Sequence, residues 1–215
     1  MTTTVAPRPS LMKPLVLVLA VLAMASAAAD EPRVEFEDRF DERLAEGWSW
    51  LREEDGAWRL RDGALQIRLL PGHADTVRNA LVRPVPERDH RTLAFEVTVV
   101  FTVPPKVQYE QAGLTWYQDG QPVFKLVHEL VDGEICIIPG KHLTDTHTMQ
   151  LRLVVSGREY HAQFRPDGKG DFHTAAKGTL PAGGEEQISL QGYHGPDDAE
   201  HWVRFENFRI LELKD

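Results

Sequence analysis

Apolar and polar residues alternate with a period of two along most of the chain, the pattern of strands that bury one face. The clearest run is RTLAFEVTVVFTV (91–103), where Leu93, Phe95, Val97, Val99, Phe101 and Val103 share one face and Thr92, Glu96, Thr98 and Thr102 the other. AWRLRDGALQIRLL (57–70), TMQLRLVVSGREYHAQFRPDG (148–168), EEQISLQGY (185–193) and HWVRFENFRILEL (201–213) continue the pattern. Asp-Gly pairs starting at positions 55, 62, 119, 132 and 167 supply the positive backbone angles of tight hairpin turns. Helical periodicity is nearly absent, and only residues 40–44 suit a helical turn. The parity of the last strand changes between Phe205 and Phe208, which predicts a β-bulge near Glu206 and Asn207. Ten or more antiparallel strands predict an all-β fold, a two-sheet antiparallel jelly-roll sandwich whose curved outer face suits an extended polymer.

One hairpin breaks the simple pattern. EQAGLTWYQDGQPVFKLVHEL (110–130) sets Gln111, Lys125 and Glu129 among apolar residues. A two-residue loop at Asp119 and Gly120 would put Leu114 and Lys125 on the same face. A three-residue loop, 119–121, separates them: Ala112, Leu114, Trp116, Phe124, Leu126 and Leu130 then face the core. The other face carries Gln111, Gly113, Thr115 and Tyr117 beside Lys125, Val127 and Glu129, with Gln111 opposite Glu129 and Thr115 opposite Lys125. Gly113 is expected to leave the backbone open to a ligand, and His128 falls on the core side. An amide, an ammonium, a hydroxyl and a carboxylate supply the paired donors and acceptors that neighbouring sugar hydroxyls need. The same residues are compatible with a solvated ion pair of little energetic weight.

The 215 residues suffice for one domain with a sizeable core. Residues 1–29 read as a secretory signal peptide: Arg8 and Lys13 precede an apolar run that ends in the small residues Ala27, Ala28 and Ala29. Residues 30–215 are then a single domain, secreted or periplasmic. Without Arg8 and Lys13, 22 basic residues face 33 acidic ones, a balance that opposes binding to nucleic acid or to an anionic membrane. The single cysteine, Cys136, cannot close an internal disulfide and sits in an apolar run where a thiol is inert. His142 and His147 lack a third ligand for zinc. No cofactor is expected, apart from a structural calcium ion for which the acidic turns at 167–171 and 197–198 offer oxygens.

GWSWLREEDGAWRLRDGALQIR, RNALVR, EQAGLTWYQDGQPVFKLVHELVDG and WVRFENFRI together resemble the concanavalin A-like β-sandwich domain at the C-terminus of glycoside hydrolase family 43 β-xylosidases. They are also similar to a related family of small stand-alone domains with no assigned function. The resemblance extends over residues 34–212. In the stand-alone relatives a Gln-Ala-Gly-Leu strand precedes a strand with Lys and Glu four residues apart, matched here by residues 111–114, Lys125 and Glu129. The resemblance implies a lectin- or glucanase-type sandwich, a carbohydrate ligand and association with carbohydrate-active enzymes. It implies no reaction, because the catalytic β-propeller of the xylosidases has no counterpart in this sequence.

The expected ligand site comprises Gln111, Gly113, Thr115, Lys125 and Glu129. Trp50, with Arg52, is expected at the groove to meet an apolar sugar face, and Asn79 offers an amide on a neighbouring strand. Trp58 and Trp202 are assigned to the core. The first expectation is a secreted lectin-like domain for plant or microbial polysaccharide, with no catalytic residue. A small glycoside hydrolase or polysaccharide lyase is the alternative; a hydrolase would pair Glu129 with Glu53 or Glu96 across roughly 5 to 9 Å. A structural or interaction protein without a sugar site is the third. Neither a Glu-x-Asp-x-x-Glu strand nor a Gly-x-Ser-x-Gly elbow occurs.

Overall fold

The computed structural model describes residues 1–3 and 31–214. The chain divides into Met1–Glu31 and Pro32–Asp215, and the strands found among the described residues lie in the second unit. Beyond its first three residues, the predicted signal peptide falls outside the described residues. Among those described, no helix is long and apolar enough to cross a membrane.

In chain order the strands are β1 (Arg33–Asp38), β2 (Ser49–Leu51), β3 (Trp58–Leu60), β4 (Leu65–Arg68), β5 (Ala80–Pro84), β6 (Thr92–Phe101), β7 (Gln111–Gln118) and β8 (Gln121–Val131). They continue as β9 (Glu134–Ile138), β10 (His142–Leu143), β11 (Thr148–Ser156), β12 (Glu159–Pro166), β13 (His173–Thr179), β14 (Glu186–Tyr193) and β15 (Trp202–Leu213). One sheet has eight strands in the order β13-β12-β11-β6-β15-β4-β3, with β1 also on β15. The other has seven, in the order β10-β9-β8-β7-β14-β5-β2. The inward faces of both sheets feed one core, in which Phe95 of β6 meets Trp116 of β7 edge-on at 5.5 Å. The all-β two-sheet sandwich expected from the sequence is therefore the observed fold. Val103, expected to extend the apolar face of β6, lies beyond the strand end and is exposed.

Four of the five Asp-Gly pairs, at 62, 119, 132 and 167, have positive φ at both residues, as a type I′ turn requires. At Asp55 only the glycine does. Residues 40–44 bend without forming a helical turn. Asp38 organises that bend, its carboxylate accepting from the backbone N–H of Phe40 and of Ala45, both at 2.8 Å. The register of β15 against β6 shifts between Glu206 and Arg209, where the change of parity predicted it.

The central hairpin reaches the expected faces by a different route. Gln118 pairs with Gln121, so the turn is the two-residue one at Asp119 and Gly120. Parity is restored by a bulge: Trp116 pairs with Phe124 but Tyr117 pairs with Pro122, which leaves Val123 as the extra residue. Pro122 has no N–H to give the ladder, so an interruption there costs little. The loop length expected from the sequence is thereby corrected, and the predicted pairs Gln111–Glu129 and Thr115–Lys125 are both present, with Gly113 opposite Val127 between them.

Candidate functional site

The outer face of the seven-stranded sheet gathers polar side chains from β8, β7 and β14. Lys125 Nζ donates to Gln111 Oε1 at 2.7 Å and to Glu129 Oε2 at 2.9 Å, while Gln111 Nε2 donates to the Tyr109 carbonyl at 2.8 Å. The chain of contacts fixes the amide and leaves the third ammonium N–H without a partner among the described residues. Glu129 is 4% exposed, so its charge is held away from water and leans on Lys125, which is the more accessible partner. Beside Lys125 a cleft of about 210 Å³ opens between Phe124, Pro122, Val123 and Ala74, with Thr115 in its wall.

β14 adds groups that the hairpin alone does not reveal. Antiparallel pairing sets Ser189 beside Thr115, Gln191 beside Gly113 and Tyr193 beside Gln111. Tyr117 Oη and Ser189 Oγ both donate to Gln191 Oε1, at 2.9 and 3.0 Å. Burial raises the Tyr117 pKa, and Tyr193 is raised further by burial, by the charge of Glu129 and by Tyr117 and Asp75. Both phenols therefore stay protonated and act as neutral hydroxyls. Next to them the His194 ring stands 4.7 Å from His73, 5.3 Å from Tyr193 and 6.0 Å from the half-exposed Tyr109. Burial, then His73 and Lys125, lower the His194 pKa, which favours a neutral imidazole at this end of the face. The alternation of EEQISLQGY, with Ser189, Gln191 and Tyr193 opposite in parity to Ile188 and Leu190, carried the signal for the β14 residues.

Several expected site residues have other roles. Trp50 pairs with Leu81 of β5 on the core face and its ring packs 4.7 Å from Trp58; it does not line the outer face. The parity of β2 is set by Ser49 and Leu51, which oppose the outer-face residues Val82 and Ala80. Turning the two indoles inward buries more apolar surface. Trp202, assigned to the core, lies instead half-buried under the Arg59 guanidinium at 4.0 Å. Arg52 is exposed and donates from Nε to the Val77 carbonyl at 2.6 Å. Asn79 is fully buried, with φ of 56°, and its Oδ1 accepts from the Glu54 N–H at 2.7 Å. Arg52 and Asn79 thus clasp one end of a loop, residues 71–79, that lies over the outer face. Gly113 is explained by its own sheet: a Cβ there would collide with the Leu126 carbonyl and sit 2.8 Å from Val127 Cα. Close approach of β8, and no opening toward a ligand, calls for the glycine.

The two carboxylates expected to pair with Glu129 lie elsewhere. Glu96 lies on the outer face of the other sheet, bound to Arg152 and Arg209, and Glu53 accepts from Trp58 Nε1 at 2.9 Å. Neither meets Glu129. Among the described residues no three His, Cys, Asp or Glu side chains converge to hold a metal ion. Asp167, considered for calcium, accepts from Thr146 Oγ1 at 3.0 Å. Cys136 is buried, and burial raises its thiol pKa, in keeping with an inert side chain.

The family model of the β-xylosidase C-terminal concanavalin A-like domain matches residues 35–186. No curated protein sequence is significantly similar to the chain. Among solved structures, the xylan β-1,4-xylosidase of Bacillus halodurans C-125 superposes with a TM-score of 0.68 at 16% identity, over 82% of this chain and 39% of that one. The GH43 protein BlXynB of Bacillus licheniformis gives 0.64 at 20% identity, over the same shares of 82% and 39%. The chain therefore spans about two fifths of these enzymes. The CBM2 module of the evolved Dit of Lactobacillus casei BL23 phage J-1 gives 0.57 at 8% identity, over 86% of this chain and 98% of the module.

Proposed function

The chain belongs to the family of β-xylosidase C-terminal concanavalin A-like domains, and we propose that it binds a neutral polysaccharide on the outer face of its seven-stranded sheet without cleaving it. The observation that carries this reading is the Lys125 ammonium, fixed between Gln111 and Glu129 at the mouth of a cleft of about 210 Å³ with largely apolar walls. A sugar ring needs that combination: an apolar wall for its C–H face, and a preset donor and acceptor for adjacent hydroxyls. Tyr109 and His194 offer ring surfaces at the same end, the part expected of Trp50. Neither Glu53 nor Glu96 stands across the face from Glu129, which supports binding over hydrolysis by either of those pairs. Export ahead of residue 30 and work beside carbohydrate-active enzymes complete the reading, and xylo-oligosaccharides are the first probes because one similar fold belongs to a xylan β-1,4-xylosidase.

The test is calorimetric titration of the domain with a glycan panel, together with a reducing-sugar assay. The double variant Lys125→Met/Glu129→Gln removes both charges at once and so leaves neither buried alone. It is expected to bind its best glycan at least about ten-fold more weakly while keeping its fold. Unchanged affinity in that variant would falsify the reading, and release of reducing ends by the wild type would replace it with a hydrolase.

A further inference from the structure

The open cleft is continuous with a covered region of the same face. Loop 71–79 rests on it through Ala74 and Val77, which pack against Ala80, Val82 and Tyr193. At one end the loop is tied by Leu70, bridged to Tyr193 and accepting from Gly195 N–H at 3.3 Å. At the other, Arg52 and Asn79 hold it. Between these anchors the Ala74 carbonyl lies 3.4 Å from Tyr117 Oη, whose one proton goes to the nearer Gln191 Oε1 at 2.9 Å, so the loop gains little hydrogen bonding from the sheet there. A turn within the loop, Thr76 N–H to the His73 carbonyl at 3.0 Å, keeps its tip together.

What this loop helps to bury is polar. Thr115, Tyr117, Ser189 and Gln191 are each 1% exposed or less. The Gln191 carbonyl oxygen is occupied twice, by Tyr117 and Ser189, and its Nε2 has no partner among the described residues; nor has Thr115 Oγ1. Buried polar groups are nearly always hydrogen-bonded, and an unmade bond is a standing cost to the closed form. The two orphans lie near each other, since Gln191 is paired with Gly113, two residues from Thr115, and Gly113 puts no side chain between them. Thr115 also lines the open cleft with Ala74, so a chain leaving Lys125 meets this floor next.

Resting on the sugar-binding reading, we propose that loop 71–79 is a flap over a second sugar subsite whose floor is Thr115 and Gln191, occupied by a neutral glycan of two or more units. The second unit lifts Ala74 from Tyr117; its hydroxyls accept from Gln191 Nε2 and pair with Thr115 Oγ1. Asp75 on the flap and Glu129 on the sheet bring negative charge to Tyr193 while Arg52 brings positive charge to Tyr117; the floor groups Thr115 and Gln191 are themselves neutral, which suits a neutral glycan.

The experiment titrates xylohexaose, cellohexaose and mannohexaose, and the corresponding monosaccharides, into the wild type and three variants. Thr115→Val removes an unpaired buried hydroxyl at constant shape, so it is expected to raise the melting temperature. It is also expected to weaken the best hexasaccharide about ten-fold, a larger loss than for the monosaccharide, whose cleft Thr115 only borders. Val77→Ala loosens the flap, lowering the melting temperature and tightening the hexasaccharide several-fold. If Thr115→Val keeps wild-type hexasaccharide affinity while Lys125→Met/Glu129→Gln loses it, the subsite is refuted and the sugar-binding reading stands. Weaker hexasaccharide binding by Val77→Ala makes the loop a fixed wall and also refutes the flap. No binding of any hexasaccharide by the wild type overturns both readings.

Discussion

His128 is expected to make folding stability fall as the pH drops through the range just below neutral. It faces inward from β8, fully buried, with its ring 5.2 Å from Phe101 and neither ring nitrogen hydrogen-bonded among the described residues. Burial first, and the charge of His147 second, lower its pKa from 6.5 to about 3. The folded ring stays neutral while the unfolded one titrates near 6.5. The unfolded state therefore binds one more proton below that value, so the stability is complete above about pH 6.5 and is lost as the pH falls. One proton corresponds to about 1.4 kcal/mol per pH unit, which between about pH 7.5 and about pH 5 sums to about 2 kcal/mol. Any folded value below about 4 gives nearly the same figure, because the ring is neutral throughout that window. His128→Leu removes this linkage. Urea unfolding of both proteins across the window should show the variant gaining about 2 kcal/mol on the wild type as the pH falls. Parallel curves would show that the folded ring accepts a proton, and the account of an unpartnered neutral imidazole would fail.

Leu114→Ala should cost about 2 to 5 kcal/mol in urea unfolding, because Leu114 is fully buried between the sheets. Gly113→Ala should cost about 1 to 3 kcal/mol by forcing β7 away from β8, with the Leu126 carbonyl as the obstacle; an unchanged melting temperature would show that the strands have room to spare. Lys125→Ala alone should also destabilise, by about 1 to 3 kcal/mol, since it strands the buried Glu129 carboxylate. Lys125→Met/Glu129→Gln should recover most of that loss, and equal stability of the two variants would deny the coupling. Mass spectrometry of exported protein should find a mature N-terminus near Asp30.

The sandwich was legible because alternation is a local property, set residue by residue along each strand. The β15 bulge was visible for the same reason, as a change of parity within one segment. The route of the β8 bulge was not. A two-residue turn with a bulge and a three-residue turn without one give the same faces beyond Phe124, so the apolar pattern cannot separate them. Trp50 shows the complementary limit: Trp48 and Trp50 must share a face, but which face depends on the pairing of β2 with β5. That pairing is long-range, and it turns both indoles toward the core, where Trp48 meets Phe36 and Phe208.

The same distinction decides how much of the site could be read. Gln111, Thr115, Lys125 and Glu129 meet across one hairpin, so their register follows from sequence alone. Ser189 and Gln191 join them only because β14 is the other neighbour of β7, more than seventy residues later in the chain. The cover is more distant still, since loop 71–79 precedes β5 and is held by Arg52 and Asn79 from the far edge of the sheet. A polar patch on an outer face would ordinarily be solvated, and its ion pair would then contribute little. Here the cover takes Thr115 and Gln191 out of water without giving each of their polar atoms a partner. Lys125 stays at the opening. A ligand arriving at Lys125 meets a preset donor first and unmet donors beyond it, so each hydroxyl bond made under the loop replaces a cost that the unliganded protein already bears. Affinity should on that account grow with glycan length more steeply than an open groove of the same area would allow.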